Sequence, residues 1–267
     1  MDILRRNNTK YQHGSKPVLM FAHGFGCDQG MWRDLIALLD PRQATLLFDL
    51  VGFGGSDRSA FDPDKYADLG GHATDVLEIL DALALEDVVF VGHSVSAMIG
   101  ALAVRRQKRR AIGRLVMVAP SPRYINDADY HGGFDLTDIE ELLDTLDSNY
   151  LGWSRTMAPV IMGAPEQPAL SDRLADSFCR TDPDIARAFA RTTFLSDNRA
   201  DLPHVDVPTL VLQSRQDAIA PMEVGEFVAR SVPDARLVVL DVIGHCPHMS
   251  APAAVVSAIT DFLPRAA

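Results

Sequence analysis

Along the chain, apolar positions gather into short uninterrupted runs separated by stretches of helical period. Residues 18–22, 45–49, 88–91 and 115–119 form four such runs, rich in β-branched and aromatic side chains, and each predicts a strand. Between them, residues 31–39 predict one helix and residues 69–85 a second, whose core-facing stripe is Val76, Leu77, Leu80 and Leu83. The small and apolar residues after Ser96 predict a third helix, packed closely on its neighbour. Strands apolar at every position are buried on both faces, and their alternation with helices over short links predicts a mostly parallel sheet covered on both sides. The polar start before residue 18 has room for a small hairpin.

The alternation breaks between residues 122 and 197. No strand is predicted there, while Ile139, Leu142, Leu143, Leu146 and Tyr150 recur at helical spacing and further helices are predicted over 153–162, 170–178 and 184–194. Sheet logic resumes with strands at 209–213 and 237–241 and helices at 222–230 and 253–263. The predicted organisation is therefore one α/β core in two parts, 1–121 and 198–267, with a four-helix lid, 122–197, inserted between them.

Composition narrows the class. Of 267 residues 47% are apolar and 23% charged, the profile of a globular chain with a sizeable core. A formal net charge of −11 gives nucleic-acid phosphates no attraction over the surface as a whole. The basic run Arg105-Arg106-Gln107-Lys108-Arg109-Arg110 falls at the end of the third helix, where cations suit the helix dipole. Three cysteines, Cys27, Cys179 and Cys246, lack framework spacing, so reduced thiols are expected. Residues 1–8 show no apolar signal segment and no run is long enough to span a bilayer; the expectation is a cytoplasmic protein with neither membrane nor nucleic-acid partners.

The chemistry centres on Gly92-His93-Ser94-Val95-Ser96, where the 88–91 strand turns directly into a helix. Such a turn is a nucleophile elbow: it lifts a serine hydroxyl above the sheet and aims the next N–H, that of Val95, at developing negative charge. Position 96 is Ser where the general motif has Gly, so on this pentapeptide alone an ordinary turn with a capping serine is an equal reading. A serine needs a base and the base an orienting acid. Asp217 and His245 each follow a late strand, on the edge where open α/β sheets place their sites, and the order Ser94, Asp217, His245 is that of α/β-hydrolases. The Gly-rich loop His23-Gly24-Phe25-Gly26 follows the first parallel strand and offers the Phe25 N–H as a second oxyanion donor beside Val95.

Other readings are weaker on physical grounds. Val51-Gly52-Phe53-Gly54-Gly55-Ser56 lacks the G-x-G-x-x-G spacing of a dinucleotide loop. His245 and His248, with Cys246 between them, lack a second ligand cluster to anchor zinc, so no metal is expected and His248 is read as a structural, hydrogen-bonded histidine. Neither Cys27 nor Cys246 sits on an elbow. His93 either lines the pocket or packs. Tyr124, Phe134, Trp153, Met157 and Phe194 are candidates for the wall of a small apolar pocket under the lid.

The elbow, the segment from Ser121 through Asp127 with Gly132-Gly133-Phe134, Asn149-Tyr150 with Trp153, Ser196-Asp197 with Arg199, and Gly244-His245-Cys246-Pro247-His248-Met249-Ser250 resemble the RsbQ-type α/β-hydrolases. These are bacterial stress-signalling hydrolases whose plant relatives are the strigolactone and karrikin receptors. The likeness spans about residues 3–263, and the Ser-Val-Ser elbow also occurs in the plant members. It implies an α/β-hydrolase fold with a V-shaped four-helix lid, a triad of Ser94, Asp217 and His245, no cofactor, and slow hydrolysis of a small hydrophobic ester or lactone coupled to signalling. In bacteria the partner it implies is a phosphatase with a ligand-sensing domain. A metabolic esterase, a cofactor-free haloperoxidase-like hydrolase and a non-catalytic ligand receptor are the alternatives.

Overall fold

The structure, a computed structural model, describes residues 2–264; Met1 and residues 265–267, at the two ends of the predicted core, lie outside it. Seven strands form one sheet: β1 Lys10–Gln12, β2 Ser15–Ala22, β3 Gln43–Leu47, β4 Val88–His93, β5 Ile112–Val118, β6 Thr209–Gln216 and β7 Ala235–Ile243. Their spatial order is β1-β3-β2-β4-β5-β6-β7, with only β1 antiparallel to its neighbour. The expected N-terminal hairpin is absent. A helical turn, α1 Ile3–Arg6, comes first, and β1 pairs with β3 instead of β2.

Alternate residues of the central strands serve two cores, which is why these strands are apolar throughout. Val18, Met20, Val88, Phe90, Leu115 and Met117 face one side and pack with α3 Gly70–Ala82 and α4 Val95–Arg106. Leu19, Phe21, Val89, Val91, Val116 and Val118 face the other, with α2 Arg33–Ile36. Phe90 is fully buried; truncating it to Ala would cost about 3–5 kcal/mol in transfer and cavity terms.

The expected 31–39 helix is shorter. The Asp28 carboxylate caps Gly30 N–H and opens a 3-10 turn, Gln29–Trp32, leaving one α-turn in α2. The basic run does end α4, and its arginines staple neighbouring elements: Arg109 pairs with Asp81 and Glu86, and Arg110 with Asp87.

Between β5 and β6 lie α5 Leu136–Met162, α6 Pro168–Arg180 and α7 Pro183–Phe194. The first two of the four expected helices adjoin end to end in α5, which breaks at Asn149 (φ −152°, ψ 70°), whose side-chain oxygen accepts the Gly152 N–H. Asp135 and Asp138 form a reciprocal cap at its start, and Gly163 in the left-handed region ends it. Completing the chain are α8 Met222–Ser231, α9 Pro247–Ser250 and α10 Pro252–Phe262. Among the described residues no helix is long and apolar enough to cross a membrane.

Candidate active site

The site is built at the end of β4, the sheet's middle strand. Ser94 adopts φ 56°, ψ −123° between β4 and α4, a conformation that costs a side-chain-bearing residue on the order of 1–3 kcal/mol and persists where its surroundings over-determine it. They do so here. The Ser94 N–H donates to Val118 O in β5 (2.8 Å), and its carbonyl accepts from Ala97 N–H (2.9 Å) in the first turn of α4. Strand and helix nearly touch: a Cβ on Gly92 would overlap the Ser96 carbonyl and lie 2.8 Å from Ala97 N. Ser96 is buried, and its hydroxyl donates to the carbonyl of His23 in the loop after β2. The serine that breaks the general elbow pattern thus ties the elbow to the glycine-rich loop.

The late strands deliver the partners. β6 runs past the predicted 213 to Gln216, placing Asp217 in the turn beyond it. One Asp217 carboxylate oxygen accepts the N–H groups of Ile219 (2.8 Å) and Ala220 (3.1 Å), and the other accepts from His245 Nδ1 (2.8 Å). That bond fixes the proton on Nδ1 and leaves the Nε2 lone pair for Ser94 Oγ, 2.8 Å away. His245 N–H donates to Ile161 O (2.8 Å) at the end of α5, so the histidine loop is moored to the inserted helices. The structure therefore brings Ser94, His245 and Asp217 into one hydrogen-bonded chain.

His93 both packs and lines the cavity. Its Nε2–H donates to the His245 carbonyl (2.9 Å), and its ring meets those of His245 and His248. Burial, with the neighbouring histidines second, holds it well below its usual pKa, hence neutral. His248 departs from expectation. It is fully buried between Trp32 (4.5 Å) and His93 (4.4 Å), with neither ring nitrogen hydrogen-bonded among the described residues. It is structural through tilted ring packing, and burial lowers its pKa to about 3.

In the loop after β2, Cys27 N–H closes a turn onto Gly24 O (3.2 Å) with Phe25 at its corner. Gly24 is held so near the elbow that a Cβ there would lie 2.5 Å from His93 Nδ1 and 3.5 Å from Ser94 Cβ. The loop is braced by the buried Asp49, whose carboxylate accepts from Gln29 N–H, Gly55 N–H and Asn8 Nδ2. Among the described residues neither the Phe25 N–H nor the Val95 N–H has an acceptor. The Phe25 ring sits amid Trp153, Phe178, Phe189 and Phe194, at 5.9–6.2 Å.

Above Ser94 lies an apolar cavity. His93, Tyr124, Trp153, Met157 and Phe194 line it as expected from sequence. Phe134 does not. Its N–H donates to Tyr124 O (3.2 Å) and its carbonyl accepts from Asn126 N–H (2.7 Å), folding residues 124–134 back on themselves and leaving the Phe134 side chain half-buried against the insert. Tyr124 Oη stands 3.3 Å from Ser94 Oγ, and burial keeps its phenol protonated. Cys27 and Cys246 also line the cavity; burial raises both thiols, so neither supplies a thiolate. Leu142, Ile161, Leu174, Phe178 and Thr193 complete the wall from the inserted helices. Leu142 and Phe178 lay within predicted helices, but helical period alone does not say which turn meets a cavity. Nothing in the sequence singles out Thr193.

Comparison with known proteins places the chain in a family. Residues 19–258 match the family described as Alpha/beta hydrolase family. The chain is similar to a probable esterase of Oryza sativa subsp. japonica, 38% identical over 90% of this chain and 88% of that protein. It is 35% identical to the Karrikin insensitive 2 receptor CA of Petunia hybrida, over 94% of this chain and 93% of the receptor. Among solved structures, a hydrolase from Oleispira antarctica superposes with a TM-score of 0.94 at 40% identity, covering 98% of this chain and 96% of that one.

Proposed function

The chain belongs to the alpha/beta hydrolase family, and from that premise we propose that it is a serine hydrolase acting on a small, hydrophobic ester or lactone. Ser94 Oγ attacks the carbonyl carbon while His245 Nε2 takes its proton. Asp217 holds the Nδ1–H tautomer and stabilises the imidazolium that forms. The Phe25 and Val95 N–H groups receive the oxyanion; losing one such donor lowers turnover by about 10²- to 10³-fold. His245 returns the proton to the departing oxygen, and water, activated by the same histidine, releases the acid and regenerates Ser94. The observation carrying this reading is the 2.8 Å and 2.8 Å hydrogen-bonded chain from Ser94 to Asp217, which ends under an apolar cavity. A fluorophosphonate probe should label the wild type and leave Ser94→Ala unlabelled and unable to hydrolyse 4-nitrophenyl esters; equal labelling of both proteins refutes the assignment.

A receptor role is the second reading, favoured by the karrikin-receptor relative and by the enclosed apolar cavity. In it, residues 122–197 serve as a lid, hydrolysis is slow, and a cytoplasmic partner reads the occupied state. The likeness of the closing Gly-His-Cys-Pro-His-Met-Ser to RsbQ-type hydrolases supports a phosphatase with a ligand-sensing domain as that partner. A single-turnover assay separates the two roles: acyl release slower than about 1 per minute, against the usual enzyme range of 1–10³ s⁻¹, favours reporting, and fast turnover favours metabolism.

A further inference from the structure

The cavity wall is apolar except beside Ser94, where His93, Tyr124 and His245 gather, at the two thiols, and at one point away from them. That point is Thr193, near the end of α7, 1% exposed and contributed by the inserted helices, not the sheet. A threonine inside a helix commonly returns its hydroxyl to the carbonyl four residues back. Thr74, Thr145 and Thr260 do so, to Gly70, Glu141 and Val256. Thr193 does not: among the described residues its Oγ1 has no partner. Buried hydroxyls are disfavoured when left unpaired, and this one is carried by a residue of the cavity wall. The next residue, Phe194, packs on Tyr124 (5.1 Å), whose hydroxyl is 3.3 Å from Ser94 Oγ. The residues lining the cavity include no Lys, Arg, Asp or Glu, so a charged ligand group would be desolvated without a counter-charge.

We propose that Thr193 is a ligand-anchoring residue whose hydroxyl donates to a neutral oxygen acceptor, an ether, ring oxygen or carbonyl, carried by the substrate away from its scissile carbonyl. The substrate class is thereby narrowed from hydrophobic esters in general to uncharged, oxygenated esters or lactones. This rests on Ser94 being the nucleophile, since the second oxygen is defined relative to the bond that Ser94 attacks.

The test uses 4-nitrophenyl pentanoate and its oxygen-for-methylene analogues, the methoxyacetate, 3-methoxypropanoate and 4-methoxybutanoate esters, with wild type, Thr193→Val and Thr193→Ser. Thr193→Val should lower kcat/KM about tenfold, through KM, for the ether ester whose oxygen reaches residue 193, measured as a change in its ratio to the pentanoate, the effect of one hydrogen bond. Thr193→Ser should keep the wild-type preference. Without ligand, Thr193→Val should melt above wild type, because it removes an unpaired buried hydroxyl. A uniform change across ether esters and pentanoate overturns the proposal, as does a lower melting temperature for Thr193→Val. If wild type hydrolyses none of these esters, the Ser94 reading fails instead, and the melting temperatures alone decide for or against Thr193.

Discussion

Replacing Gly92 by Ala tests how the elbow holds Ser94. The added Cβ would overlap the Ser96 carbonyl group, its carbon at 2.6 Å, and meet Ala97 N at 2.8 Å, all backbone atoms, whereas ordinary contact begins near 3.4 Å. The strand and helix must therefore part by about 1 Å, and neither contact can be relieved by a rotamer change. Ser94 lies between the two parting segments, so its Oγ leaves the 2.8 Å contact with His245 Nε2. Misplacement of a reacting group by about 1 Å costs on the order of 10²-fold in rate. The cavity walls contributed by α5 to α7 are remote from the substitution. Steady-state hydrolysis of 4-nitrophenyl butyrate should thus show kcat about 100-fold lower with KM within about threefold. Overpacking should also remove about 1–3 kcal/mol of stability, read as a fall of several degrees in melting temperature. A Gly92→Ala protein with wild-type kcat would refute the close-approach argument.

Asp217→Asn preserves shape but removes the acceptor that holds His245 in its Nδ1–H tautomer; kcat should fall by about 10³- to 10⁴-fold at unchanged fold, and a loss below tenfold would contradict the orienting role. Acid should destabilise the protein through its buried histidines. His72 and His248 are neutral when folded, with pKa values lowered by burial to about 3, and both would bind protons below about 6.5 when unfolded. Their stabilising contribution is complete above pH 6.5 and is lost as pH falls from there towards 3, about 2 kcal/mol each between pH 7 and pH 5. Urea unfolding at both pH values measures it, and His248→Phe should flatten the dependence. Asp49→Asn turns an acceptor of three donors into a mixed group. It should lower kcat more than it raises KM by loosening the Phe25 loop, whereas equal kcat in the two proteins would show that the loop needs no such brace.

The doubly covered sheet was legible because strands buried on both faces must be apolar at every position, as Val88 to Val91 are. The hydroxyl, imidazole and carboxylate were legible from their places just beyond strands. Phe134 misled because an aromatic just ahead of the inserted helices satisfies either a cavity wall or a local turn; the backbone bonds to Tyr124 and Asn126 that decide between them leave no mark on hydrophobic pattern. The break at Asn149 falls beside the expected boundary between the first two inserted helices; that the second follows with no intervening loop left no mark on the apolar spacing. His248 resists sequence reading differently: a histidine in Gly-His-Cys-Pro-His reads as hydrogen-bonded, and its ring packing on Trp32, more than 200 residues away in sequence, depends on the tertiary fold. Thr193 reads in the sequence like any helical threonine, and the missing partner of its hydroxyl shows only in the fold.

The central claim is that Ser94 forms a covalent acyl intermediate. Wild-type protein mixed with 4-nitrophenyl butyrate and quenched in acid should give a burst of one 4-nitrophenol per chain, with the butanoyl mass on the peptide containing Ser94. Ser94→Ala should show neither burst nor adduct. A full burst in Ser94→Ala, or a butanoyl group carried by Cys27, Cys246 or another residue of the wild type, would contradict the account.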